Sequence, residues 1–190
     1  MTAVPRPGSP EPDFSHLGDE LVYQGHIWRV VVGRFRAPDG HEFTRDIVRS
    51  PGAVAVVAVD DARNVVLLRQ YRAAFGRTIV EIPAGMRDVE GEDPIETARR
   101  ELIEEAGLTA RDWTLLHRFL PSTGMTDSVL DVFLATGLSE VDRATHGPEE
   151  DHMEVFRVPL TEAVAMVESG EIADAKSTIG LLLADRRRPG

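Results

Sequence analysis

Five glutamates crowd one short stretch of this 190-residue chain: Glu92, Glu96, Glu101, Glu104 and Glu105 all lie within residues 92–105. On a solvated helix such a cluster is usually only a soluble face. This one has internal order. Asp93, Pro94 and Glu96 read as N-cap, first-turn proline and capping-box partner, so a helix starts at a defined place. Ile95, Ala98, Leu102 and Ala106 recur at helical spacing as a buried stripe, and Gly107 stops the helix. Glu101 and Glu105 are one turn apart, which sets their carboxylates side by side on another face; Arg100 and Glu104 form a second such pair. Like charges at that spacing repel mildly and a bridging cation relieves them, so the pattern points to a metal site. Carboxylates without cysteine, and without histidine at ligand spacing, select a hard cation. Mg²⁺ is the default and Mn²⁺ its usual substitute, with Glu101 and Glu105 the foremost side-chain ligands.

A framework must hold those carboxylates. Residues 1–17 contain four prolines with glycine and serine, and read as a disordered tail. Residues 18–50 form an N-terminal β segment: two short strands over 21–35 with Gly25 between them, a turn at Pro38, Asp39 and Gly40, and a returning strand over 41–48. The apolar run 54–59 predicts a buried central strand. A turn over 60–64 follows, 65–68 pairs back, and a strand over 78–82 leads straight into the glutamate segment. Further strands are expected at 113–119, 129–135 and 154–158, with a hydrophilic loop over 139–151. Closing helices are expected at 161–168 and 175–183. Residues 51–185 thus form the main domain, and 186–190 a basic tail. The fold class is α+β: an α/β/α sandwich with a mixed sheet, plus the small N-terminal sheet.

Composition narrows the function. One core suffices at this length. The absence of cysteine excludes disulfides and thiolate metal sites and suits a reducing, cytoplasmic interior. No apolar run approaches a membrane span, and no signal peptide opens the chain. A formal charge of −11 argues against general nucleic-acid binding. It would also repel a polyanionic substrate unless divalent cations and local arginines reverse the field; Arg45, Arg49, Arg72 and Arg77 stand ahead of the glutamates and are candidates. Singly, each is more often a surface solubiliser.

The order glycine, glutamate, Arg-Glu, apolar, any, Glu-Glu, any, Gly resembles the Nudix box, the loop-helix-loop of enzymes that hydrolyse a nucleoside diphosphate linked to another group. Gly85, Glu92, Arg100, Glu101, Glu104, Glu105 and Gly107 fall where that box expects them, with six residues rather than the commoner five between Gly85 and Glu92. Gln70-Tyr71-Arg72 and the run from Glu81 to Gly85 resemble the ADP-ribose pyrophosphatase branch, most closely its actinobacterial members. That branch usually has a proline where this chain has Thr123, beside Gly124.

The resemblance implies the Nudix sandwich and metal-dependent hydrolysis of ADP-ribose to AMP and ribose 5-phosphate. Another nucleoside diphosphate sugar, or a non-catalytic Nudix-fold metabolite sensor, are the alternatives. It implies that the Ala84 carbonyl joins Glu101 and Glu105 on the metal, while Glu104 either touches a metal or holds Arg100. Glu92 would position the loop, and Arg100 would orient the glutamates. The base would come from the loop after the core strands, Glu150 ahead of Glu149; without the resemblance both read as a solvated acidic loop, and His152 nearby as an ordinary surface residue. Trp28 would stack on adenine, its equal alternative being a packing tryptophan. Arg45, Arg72 and Glu81 would complete the substrate contacts. Relatives often form homodimers in which the N-terminal strands of one subunit complete the other's site.

Overall fold

The computed structural model describes residues 13–143 and 152–187. Two compact units result. Among the described residues, the first holds those up to Ser50 together with Gly124–Asp127, and the second holds Pro51–Thr123 and those from Ser128 onward.

The first unit is an antiparallel sheet of β1 (Ser15–Gln24), β2 (Arg29–Arg36) and β3 (Glu42–Arg49), in that order. β1 begins inside the stretch expected to be a tail: His16 accepts a place in the ladder opposite Phe35 and packs on its ring. Proline and glycine upstream masked that start. Asp39 caps the β2–β3 turn by accepting from the His41 N–H at 3.0 Å.

The second unit carries two sheets. One runs β7 (Ala84–Met86), β4 (Ala53–Ala58), β9 (Leu130–Glu140), β8 (Leu108–Phe119), with β4 and β9 parallel and the other neighbours antiparallel. The other runs β10 (Glu154–Pro159), β5 (Asn64–Arg72), β6 (Arg77–Glu81), all antiparallel. A short 3-10 turn over Ala73–Phe75 joins β5 to β6. The helices are α1 (Pro94–Ala106), α2 (Leu160–Ser169) and α3 (Ala175–Arg186).

β4 explains the layering. Its residues alternate between two cores: Ala55 and Val57 pack with Leu160, Ala163, Leu181 and Ala184 of α2 and α3, while Val54, Val56 and Ala58 pack with Ala98 and Leu102 of α1. A strand buried on both faces must be apolar throughout, which is why its run is unbroken. Gly180 lets α3 lie close on this sheet, since a Cβ there would come within 2.8 Å of Val57 Cγ2. The chain therefore has the expected α+β architecture, with a mixed sheet between α1 and the α2–α3 pair.

Candidate active site

Helix α1 is held at both ends. Asp93 Oδ1 accepts the Ile95 N–H at 3.1 Å, Pro94 opens the first turn, and Gly107 closes the helix at φ +64° with its N–H on the Ile103 carbonyl at 2.9 Å. Glu96 does not close the expected capping box; its carboxylate lies 3.4 Å from Arg99 instead. The loop is anchored otherwise. Thr97, fully buried, donates its hydroxyl to Glu92 Oε2 at 2.7 Å. Glu92 is thereby tied to the helix it precedes.

Strand β7 brings the box loop against α1. Pairing of Ala55 with Ala84 and Val54 with Gly85 lays this backbone beside the helix. The Ala84 N–H donates to Glu105 Oε2 at 2.7 Å. Gly85 faces the Glu101 carboxylate so closely that any Cβ would overlap it. Only glycine fits there, because a side chain and a backbone share the space.

Arg100 gathers the acids. It donates to Glu101 Oε1 at 2.9 Å, Glu104 Oε2 at 3.0 Å and Asp88 Oδ1 at 3.1 Å, and stands 3.7 Å from Glu92. One guanidinium is thus spread over four carboxylates. Burial is the largest influence on Glu101 and pushes its pKa up from 4.5 to about 7; Glu104 and Asp88 push the same way, and Arg100 only partly opposes them.

The donor set suits a hard divalent cation. Glu101 and Glu105 are buried oxygen donors on one helix face, and an ionised Glu101 has only a share of the Arg100 guanidinium. Among the described residues, no three histidine, aspartate or glutamate side chains converge as a closed metal cage. Arg100 and the Ala84 N–H engage these carboxylates in their place.

A second charged cluster adjoins β5, β6 and α3. Arg72 donates through Nε to Glu81 Oε1 at 2.5 Å and through its NH2 group to Oε2 at 2.9 Å. Lys176 Nζ also donates to Glu81 Oε2, and to Asp174 Oδ2 at 2.9 Å. Burial alone would raise Glu81, but Arg72 and Lys176 outweigh it and hold the carboxyl below the usual range. Lys176 and Asp174 escaped sequence reading, as did Asp88 and Thr97. The spacing of Asp174 before Ser177 was a legible cap signal: its carboxylate accepts the Ser177 N–H at 3.2 Å.

Trp28 and Arg45 belong to the first unit. Trp28 is 54% exposed, and its carbonyl closes a tight turn by accepting from the Gly25 N–H at 2.9 Å. Arg45 lies over the Phe43 ring at 4.8 Å and donates to the Thr44 carbonyl. Arg49 already serves Asp19 at 2.8 Å and Asp127 at 3.2 Å, so it is bound up in structure. In the second unit Arg77 is exposed on β6, and Thr123 is exposed in a turn. Glu149 and Glu150 lie outside the described residues; His152, just beyond them, is exposed.

Comparison with known proteins identifies the family and the fold. A family model described as NUDIX domain matches residues 49–179. An ADP-ribose pyrophosphatase of Mycobacterium tuberculosis is 41% identical over 172 residues, covering 90% of this chain and 83% of that protein. An ADP-ribose pyrophosphatase of Bacillus subtilis is 39% identical, covering 87% and 89% respectively. A crystal structure of an ADP compounds hydrolase superposes with a TM-score of 0.79 over 94% of this chain and 95% of that one; at 22% identity this likeness is one of fold. With the profile spanning more than half of the chain, and relatives this similar along most of their length, the chain belongs to the NUDIX family.

Proposed function

We propose that this chain hydrolyses the pyrophosphate bond of ADP-ribose, releasing AMP and ribose 5-phosphate. Two relatives about as long as this chain are ADP-ribose pyrophosphatases by name. The observation that carries the reading is Glu101: a buried carboxylate, seated against Gly85 beside Glu105, that the fold leaves short of positive charge. Members of this family generally need divalent metal ions, and Mg²⁺ fits an all-oxygen site of this kind, Mn²⁺ being the usual substitute. Glu101, Glu105 and the Ala84 carbonyl would hold the ion, with Glu104 shared between it and Arg100. When bound, such an ion neutralises diphosphate oxygens and acidifies a water.

The chain's own groups do the rest. Glu150 takes the proton from the attacking water, with Glu149 the adjacent alternative. Arg72 presents its outer N–H groups to a phosphate or ribose oxygen while Glu81 orients it. Arg45 makes a second such contact, and Trp28, with its exposed ring, stacks on adenine. Leu21, Val22, Tyr23 and Ile27 are also exposed on or beside β1. An apolar patch of that kind favours a homodimer through the N-terminal sheet. No described helix is long and apolar enough to cross a membrane, and a chain without cysteine suits the cytoplasm.

Thr123 sits where the related branch usually has a proline, so the loop is less stiff and other ADP-sugars should be cleaved appreciably. The test is a panel of nucleotide sugars incubated with Mg²⁺, with products identified by chromatography. AMP and ribose 5-phosphate leading the panel support the reading. A preferred non-adenine substrate would shift it to another nucleoside diphosphate sugar; tight ADP-ribose binding without turnover would make the chain a sensor.

A further inference from the structure

Lys176 is a cation spent inside the protein. Its side chain is only 13% exposed and its partners are Glu81, itself 4% exposed, and Asp174. Burying an ammonium is costly unless it is paired, so a place of this kind needs a reason. Holding α3 to β6 is not that reason, because Ser177 already does it: its buried hydroxyl accepts the Ile82 N–H at 2.9 Å. Lys176 acts one bond further out. Glu81 Oε2 accepts both from Lys176 and from Arg72, while Oε1 accepts from Arg72 Nε. Lys176 therefore fixes the plane of the carboxylate on which the Arg72 guanidinium lies. Arg72 is the outward member of the group, with a side chain 38% exposed.

The charge of the group matters as well as its geometry. A lone Arg72–Glu81 pair would be neutral, and the guanidinium would have little attraction left for an anion. Lys176 answers Glu81 from behind. Its own counter-charge, Asp174, is partly taken up by the N-terminus of α3, where it caps Ser177. Without Lys176, Arg72 would face Glu81, Asp174 and Glu105 as the lone cation of the group.

We propose that Lys176 is a positioning residue: acting through Glu81, it fixes the Arg72 guanidinium and preserves its charge for an oxygen of the anionic diphosphate substrate. The inference rests on the reading of Arg72 as a substrate contact. The side chain itself need not touch substrate.

The test is a cycle of steady-state measurements on the full chain with ADP-ribose and Mg²⁺, using Lys176→Met, Lys176→Arg, Arg72→Ala and the double variant Arg72→Ala/Lys176→Met. Lys176→Met should raise KM about tenfold with a smaller fall in kcat. Lys176→Arg should restore most of the loss, and Lys176→Met should add nothing once Arg72 is gone. An unchanged KM in Lys176→Met, or additive losses in the double variant, would overturn the proposal while leaving the hydrolytic reading intact. If Arg72→Ala leaves KM unchanged, the role of Arg72 falls and this inference with it. Should Lys176→Met fail to fold, Lys176→Gln is measured in its place, with the same outcomes.

Discussion

Glu81 and Glu101 are both buried glutamates beside an arginine, yet the fold treats them oppositely. Glu81 receives two N–H groups of Arg72 and the ammonium of Lys176, and its carboxyl is held below the ordinary range. Glu101 shares Arg100 with Glu104, Asp88 and Glu92, and burial pushes its carboxyl up to about 7. One site closes its own charge balance and the other leaves it open. An open balance at a buried carboxylate is a standing deficit of positive charge, which is what a cation-binding site requires before the cation arrives. Internal pairing accounts for the first acid; an external partner is needed for the second.

The difference can be broken by removing each acid's charge. Glu81→Gln leaves Arg72 and Lys176 facing a neutral amide, and should destabilise the protein by about 3 kcal/mol, at the lower end for a broken buried pair because Arg72 is partly exposed. Chemical denaturation checks this, and a change under about 0.5 kcal/mol would mean that solvent answers the two cations. Glu105→Gln acts at the open site. It keeps the shape but removes one anionic oxygen donor, so turnover with Mg²⁺ should fall more than about 100-fold while the fold survives. Near wild-type activity at limiting Mg²⁺ would remove Glu105 from the ligand set. Gly85→Ala sharpens the comparison sterically. The added methyl must displace the Glu101 carboxylate, at a cost of about 1–3 kcal/mol, and activity should drop with it; unaltered turnover would show that Glu101 is free to move.

The pH dependence has opposite signs at the two sites. Glu101 has a folded pKa of about 7 above its ordinary 4.5, so the metal-free fold holds a proton that the unfolded chain has lost between those values. Stability from this group is full below pH 4.5 and is lost as pH rises through 7, about 3 kcal/mol in all. Glu81, with its lowered pKa, contributes stability above the ordinary carboxylate range that is lost as pH falls below it. Metal affinity should climb with pH up to about 7, because the ion must displace the Glu101 proton. Titration calorimetry in two buffers of different ionisation enthalpy would read that proton release.

Much of the open site was legible in the sequence. Helix α1 runs from Pro94 to Ala106, where the Asp93 cap, Pro94 and Gly107 bound it, because those signals act locally. The unbroken apolar run of β4 announced a strand buried on both faces. The closed site was hidden, since Lys176 and Glu81 lie 95 residues apart and no local pattern marks a lysine that turns inward. β7 was missed for another reason: three residues of alanine, glycine and methionine carry no strand periodicity, and only pairing with β4 defines them. β8 starts at Leu108 rather than near Trp113 and β9 runs to Glu140, because their outer ends pair with each other in a polar stretch without an apolar signature.

Denaturant unfolding of Glu101→Gln beside the wild-type protein, in chelator at pH 8, separates the two kinds of buried glutamate. If the fold leaves Glu101 short of positive charge, removing its charge should stabilise the metal-free protein by up to about 3 kcal/mol, and Mg²⁺ should no longer add its own stabilisation. A destabilised Glu101→Gln variant under those conditions would contradict a charge deficit at Glu101, because Glu101 would then be as fully partnered within the protein as Glu81.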